Sequence, residues 1–162
     1  MNQQHSHCSF CGAAFEGAQG WPRQCAQCAN LSYRNPLPVS VVLLPVDNGI
    51  VLVRRSIPPG KGKLALPGGF INYGESWQAA AARELFEETG IVIEPESLSV
   101  FDVRSAPDST ILIFGLAPRL HLIDLPDFVA TAEASERLIV EQPVELAFSL
   151  HTDMLERYFR NY

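Results

Sequence analysis

The chain has 162 residues, 47% of them hydrophobic, enough to bury one good core and leave length for a small appendage. Twelve basic against eighteen acidic residues give a net charge of −6, which argues against a general nucleic-acid binder but admits an anionic substrate if metal ions stand between. The longest apolar runs, VSVVLLPV and ILIFGLA, fall far short of the roughly 20 residues needed to cross a bilayer, and the start, MNQQHSHCSF, lacks the basic flank and apolar centre of a secretory signal. A cytoplasmic protein without a membrane partner is expected.

All four cysteines lie near the start, as Cys8-x2-Cys11 and Cys25-x2-Cys28, with thirteen residues between the pairs. Each pair can form a tight knuckle, and two facing knuckles supply four sulfurs for tetrahedral Zn²⁺, a zinc ribbon over residues 1–36. Disulfides are the alternative, disfavoured by a cytosolic setting; redox catalysis by CxxC would need a neighbouring βαβ pattern, which is absent. A four-cysteine site has no open position, so its zinc is structural. His5 and His7 read as a disordered tail. The connector LSYRNPLP, Leu31 to Pro38, carries two prolines and marks a boundary before a main domain over 37–162.

Val39 to Val46 and Ile50 to Arg55 read as strands around an Asp47-Asn48-Gly49 turn. Ser56 to Leu66 is a loop rich in Pro, Gly and Lys. Beyond residue 90, Ile91 to Ile93, Leu98 to Arg104, Thr110 to Leu116 and Arg119 to Ile123 are strand-like, followed by an acidic loop over 124–136 and the strand-like RLIV. Thr152 to Phe159 reads as a terminal helix capped by Thr152. Trp77, Phe101 and Phe114 are candidates for base stacking, although aromatics at such positions are more often core. His121 and His151 are isolated, with no catalytic role assigned.

The chemistry concentrates in Gly69 to Ile91. On a helix at about 100° per residue, Glu84, Glu87 and Glu88 fall within an arc of about 100°. Like charges at that spacing destabilise a bare helix, so the arrangement makes sense around a cation, and hard oxygen ligands suit Mg²⁺ or Mn²⁺. Ala81, Ala82, Leu85 and Phe86 would pack on a sheet, with small Ala80 inside the carboxylate arc. Arg83 projects beside Glu87, Asn72 and Glu75 offer a start resembling a capping box, and Gly90 a stop. A lone E-x-x-E-E run would read as a solvated charged face.

The full pattern, G69-x5-E75-x7-R83-E84-L85-x-E87-E88-x-G90-I91, resembles the Nudix hydrolase signature at every defined position. With the ribbon and the Y-x-N-P connector, the chain looks like the branch of that family that includes NADH pyrophosphatases and FAD-cleaving relatives. The resemblance implies an α+β fold, a Nudix α/β/α sandwich with a mixed sheet, behind the zinc ribbon. It also implies metal-dependent cleavage of the diphosphate in NADH, FAD, ADP-ribose or a similar small molecule, with a nucleotide-capped RNA end as a further candidate and a homodimer as a candidate assembly. Glu84, Glu87, Glu88 and the Gly69 carbonyl would be metal ligands. Glu84 or a loop carboxylate, Glu136 first and Glu133 second, would take the proton from water, with Arg83 and Glu75 bracing the group. Beside this signature, Arg54, Arg55, Lys61 and Lys63 read as diphosphate-binding rather than as a solvated loop. NADH pyrophosphatases carry a downstream SQPWPFP-type motif that residues 92 to 125 lack, which puts NADH preference in doubt. The alternative is a nucleic-acid- or protein-binding ribbon beside a vestigial hydrolase domain.

Overall fold

The computed structural model describes residues 4–17 and 20–162, which divide between two units, Met1–Pro36 and Leu37–Tyr162. In the first, β1 (Arg23–Gln24) pairs antiparallel with β2 (Leu31–Ser32), and His7 bridges Ala14. His7 is thus held in a bridge and His5 packs edge-on against Trp21 at 5.7 Å, which corrects the reading of both as disordered tail. Residues 1–3 of that tail lie outside the described residues.

The second unit is built on β3 (Leu37–Leu43), β4 (Pro45–Val46), β5 (Gly49–Arg55), β6 (Leu64–Ala65), β7 (Gly68–Phe70), β8 (Ser99–Ser105), β9 (Thr110–Leu116) and β10 (Ala134–Val140), with helices α1 (Trp77–Thr89) and α2 (Ser149–Asn161). One mixed sheet runs β7-β3-β9-β8, with β3 and β9 parallel; the other runs β10-β5-β4, with β6 on β5. Side chains alternate along a strand, so β3 and its extension divide their apolar run between two cores. Val41 and Leu43 pack with Ile50, Leu52, Phe114 and the α2 residues Met154, Leu155 and Tyr158. Val42, Leu44 and Val46 pack with Val51, Ile91, Leu98 and the α1 residues Ala81 and Leu85. Helices therefore cover opposite faces of the strands, an α/β/α sandwich, and the run is continuous rather than alternating because neither face meets water.

Several boundaries differ from the sequence expectation. Ile91 to Ile93 form no strand: Ile91 is a buried anchor, and Pro95, without an N–H, opens a 3-10 turn over Pro95–Ser97. Arg119 to Ile123 contribute one bridge, Leu120 to Val46, before a second 3-10 turn, Leu122–Asp124. α1 is capped by Ser76, whose hydroxyl accepts from Ala79 N at 3.1 Å, while Asn72 N donates to Glu75 Oε2 at 3.0 Å one turn earlier. α2 begins at Ser149, so Thr152 lies inside it, and its hydroxyl accepts from Leu146 N at 3.0 Å.

Candidate functional site

α1 needs no unusual propensity: an alanine run, a serine cap and a left-handed Gly90 (φ 75°) whose N–H donates to Phe86 O define it. What is unusual is its orientation. The helix turns Ala80, Ala81, Glu84, Leu85 and Glu88 toward the strands, leaving Phe86 54% exposed, which corrects the placement of Phe86 on the packed side. Because residues step by about 100°, facing Leu85 inward brings Glu84 and Glu88 with it. Glu84 is 9% and Glu88 3% exposed, so they lie in the interior and not on a solvated face; Glu87 stays outside.

Two glycines let β7 run under these carboxylates. A Cβ on Gly69 would lie 2.4 Å from Glu84 Oε1, so any side chain there would displace Glu84. A Cβ on Gly68 would lie 2.3 Å from Ser40 O on β3, and the Gly68 N–H donates to Glu88 Oε2 at 3.0 Å. The sequence alone assigns Gly68 no role of its own, because its constraint comes from the β3 backbone across the sheet.

Arg83 ties the group together with every N–H it has. Nε and Nη2 grip both oxygens of Glu75 (2.9 and 3.0 Å), Nη1 reaches Glu84 Oε1 (2.7 Å) and Glu87 Oε2 (3.2 Å), and Nη2 also donates to Phe70 O (3.0 Å). The Arg83 hydrogen bonds hold Glu75 below the usual carboxylate range, and those carboxylates in turn raise Arg83. Glu84 is raised, chiefly by burial, despite Arg83. Burial pushes Glu88 up to about 7, against the Gly68 N–H, with Glu84 adding to the rise and Arg55 opposing it. Two carboxylates that burial raises together are chemically suited to a divalent cation, because the cation would supply the positive charge that burial removes. Glu84, Glu87, Glu88 and the Gly69 carbonyl are the oxygen donors that could hold Mg²⁺ or Mn²⁺, although their carboxylates do not converge as the four cysteine sulfurs do.

The expected basic residues separate. Arg54 is committed to Glu136 (2.7 Å) and to Gly62 O (3.0 Å). Arg55 donates to Pro59 O (2.8 Å) and lies over the Phe148 ring at 5.2 Å, yet its charge still reaches Glu88. Lys61 and Lys63 are exposed on the intervening loop. Glu136 lies within β10, opposite Arg54, not in the loop before the strand. The charge of Glu133 is among the smaller influences that raise both Glu84 and Glu88. Arg137, missed in the sequence, donates to Thr89 O (2.9 Å) and Pro126 O (2.6 Å) and so pins the helix end to the acidic loop.

Trp77 and Phe114 pack in the cores, and a Cβ on Gly115 would lie 2.9 Å from Trp77 Cζ3. Phe101 packs against the α2 side with Arg157 over its ring at 5.1 Å. His151 is buried between Phe114 and Phe148, its Nδ1 without a hydrogen-bond partner, and burial lowers it to about 3.

In the first unit, both cysteine pairs adopt the same turn. Cys8 N donates to Ala13 O and Gly12 N to Cys8 O; Cys25 N donates to Asn30 O and Ala29 N to Cys25 O. The knuckles face each other, with Cys8 and Cys28 sulfurs 3.7 Å apart and Cys11 and Cys25 sulfurs 3.6 Å apart. All four ligand atoms lie within 4.8 Å of one another, the only such group of His, Cys, Asp or Glu among the described residues. Tetrahedral Zn–S bonds of about 2.3 Å require sulfurs roughly 3.8 Å apart, so the four thiols could hold one zinc ion, whereas a disulfide needs about 2.0 Å. Backbone N–H groups of Cys11 and Phe10 lower Cys8 to about 6, whereas Cys11 is raised, against its backbone hydrogen bond with Ala13, by Cys28, burial and Cys25, so without a cation the four sulfurs share their charge unevenly.

Comparison with known proteins agrees with this geometry. The chain is 38% identical over 93 residues to an ADP-ribose pyrophosphatase of Methanocaldococcus jannaschii, covering 57% of this chain and 50% of that protein. Over the same length it is 34% identical to the NAD-capped RNA hydrolase NudC of Edwardsiella ictaluri, covering 57% of this chain and 36% of that one. The chain thus matches half or less of these relatives' length. A crystal structure of a NUDIX hydrolase from Nitrosomonas europaea superposes with a TM-score of 0.77 at 29% identity, covering 96% of this chain and 90% of that one. The NUDIX domain model matches residues 34–147, and with α1, its buried carboxylates and the Gly69 approach all inside that span, the chain belongs to the NUDIX domain family.

Proposed function

We propose that this chain is a metal-dependent pyrophosphohydrolase that cleaves the diphosphate of a nucleoside diphosphate linked to a second group, giving two monophosphates. The observation that carries the reading is the pair Glu84 and Glu88, buried on the inner face of α1 with Gly69 pressed against Glu84 and the Gly68 N–H bonded to Glu88. Such a site is costly to build without a cation and serves no packing purpose. The names of the relatives support the substrate class, since ADP-ribose and an NAD cap both contain an adenosine diphosphate joined to another moiety.

Bound Mg²⁺ or Mn²⁺ would neutralise the two phosphates and acidify a water molecule. The protein's own part is positional. Arg83 fixes Glu84, Glu87 and Glu75 relative to β7, and the buried Glu88 is oriented by the Gly68 N–H. Glu84 or a nearby carboxylate, Glu136 or Glu133, accepts the proton from water; in the structure Arg54 holds Glu136. Arg55, Lys61 and Lys63 supply positive charge for the phosphates. Residues 1–36 form a ribbon around a structural Zn²⁺ held by Cys8, Cys11, Cys25 and Cys28, and residues 37–162 form the hydrolase.

The test is hydrolysis of ADP-ribose, FAD, NADH and a capped RNA with Mg²⁺ or Mn²⁺ in ¹⁸O-labelled water. Attack on phosphorus places the label on one of two monophosphate products. Free nicotinamide or inorganic phosphate as the first product would refute it.

A further inference from the structure

The two units differ in charge: residues 1–36 carry two arginines and one glutamate, a net +1, whereas residues 37–162 carry ten basic and seventeen acidic residues, a net −7. With Zn²⁺ on four thiolates the first unit loses its formal excess of positive charge, so an anion would be drawn there only by the local pairing of Arg23 and Arg34 and not by a net field. That unit also holds a cavity of about 400 Å³, large enough for a nucleobase, lined by Gln4, His5, Phe15, Trp21, Arg23 and Arg34 among others. Its composition is not that of a small apolar core. The Arg23 guanidinium lies over the Trp21 ring at 4.6 Å and over Phe15 at 5.6 Å, while Phe15 and His5 present ring edges to Trp21 at 6.2 and 5.7 Å. Trp21, Phe15 and Arg23 are half-buried; His5 and Arg34 are exposed. Flat rings, a flat guanidinium and a second arginine in one cavity match a base with its phosphate: stacking takes any base face, and arginine takes phosphate oxygens. The cysteine cluster uses none of these side chains, so the ion site does not account for them.

We infer that this cavity binds a nucleotide unit, a base stacked within the Trp21, Phe15 and Arg23 group and its phosphate met by Arg34. The source is either a single-stranded RNA or a free nucleotide. The inference concerns the first unit and does not depend on which bond the second unit cuts.

The experiment uses the full zinc-loaded chain and a fluorescein-labelled oligoadenylate RNA of about ten nucleotides, which spans one such site and has no diphosphate bridge. Anisotropy at low salt should show saturable binding that weakens as salt rises. Trp21→Ala should weaken it by at least about tenfold, the value of one lost base stack, and Arg34→Glu, on an exposed position, by a similar factor. Zinc content shows that each variant keeps its ribbon, and ADP-ribose turnover by the same variants should stay parental, which separates this proposal from the hydrolase reading. Displacement of the RNA by millimolar AMP identifies a mononucleotide site, and resistance to AMP identifies a site for the polymer. Absence of binding to both RNA and AMP, or parental affinity in Arg34→Glu and in a zinc-retaining Trp21→Ala, would overturn it.

Discussion

The two helices of the second unit are each thirteen residues long and cover opposite faces of the same strands, yet they bury opposite kinds of side chain. α2 offers Met154, Leu155 and Tyr158, with only His151 as a polar intruder; α1 offers Leu85 and small alanines, with Glu84 and Glu88 between them. The α2 face supplies apolar burial, about 1.5 to 3 kcal/mol for each large side chain. The α1 face gives up part of that stabilisation to hold carboxylates in a dry place. The lesson is that stability and chemistry are divided across one sheet and should be separable by mutation.

The sharpest test is Glu88→Gln, which keeps shape and removes charge. Turnover should fall by more than about a thousandfold while thermal stability stays level or rises, because a buried charge disappears. Parental turnover at subsaturating Mg²⁺ would end the metal assignment. On the opposite face, Leu155→Ala should cost about 2 to 5 kcal/mol of stability in denaturant titrations, with kcat of the folded fraction unchanged. A large loss of kcat there would break the division. Next comes Arg83→Lys, which cannot hold Glu75, Glu84, Glu87 and the Phe70 carbonyl at once; kcat should drop by about 10- to 100-fold with little effect on KM.

The two faces should also show opposite pH dependence. Glu88 rises from 4.5 to about 7 on folding, so the folded state binds more protons and this contribution to stability is lost as pH climbs between those values. His151 falls from 6.5 to about 3, so the unfolded state binds more protons and stability is lost as pH falls from 6.5 toward 3. Between 4.5 and 6.5 these two slopes oppose each other, with the raised Glu84 adding to the Glu88 side, and helical circular dichroism of the parent without divalent cation should show a shallower loss of melting temperature with pH than His151→Phe. Glu88→Gln should reveal a rise in stability with pH up to 6.5, and His151→Phe a fall from 4.5 to 7. The same slope in both variants would show that these groups do not set it. The smallest effect is Ser76→Ala at the α1 cap, about 1 kcal/mol, measured by melting temperature.

What the sequence determined by itself is whatever depends on spacing along the chain. The grouping of Glu84, Glu87 and Glu88 follows from helical pitch, the paired knuckles from two CxxC turns, and the hairpin from Asp47-Asn48-Gly49, where Asp47 has φ 47°. The resemblance at the signature then named the family. What spacing could not decide was which way the carboxylate arc faces. A helix with glutamates on one side reads as turning them to water, and only the packing of Leu85 and Ala81 between Val42, Val51 and Ile91 turns Glu84 and Glu88 inward while Glu87 stays outside. The same holds for contacts between distant residues. Gly68 meeting Glu88 and Glu136 being held by Arg54 depend on how β7, β5 and β10 register. Local torsions and side-chain periods act over a few residues, so they are legible in the chain. Burial and pairing are set by elements up to eighty-two residues apart, as Arg54 and Glu136 are, and therefore only by the tertiary structure.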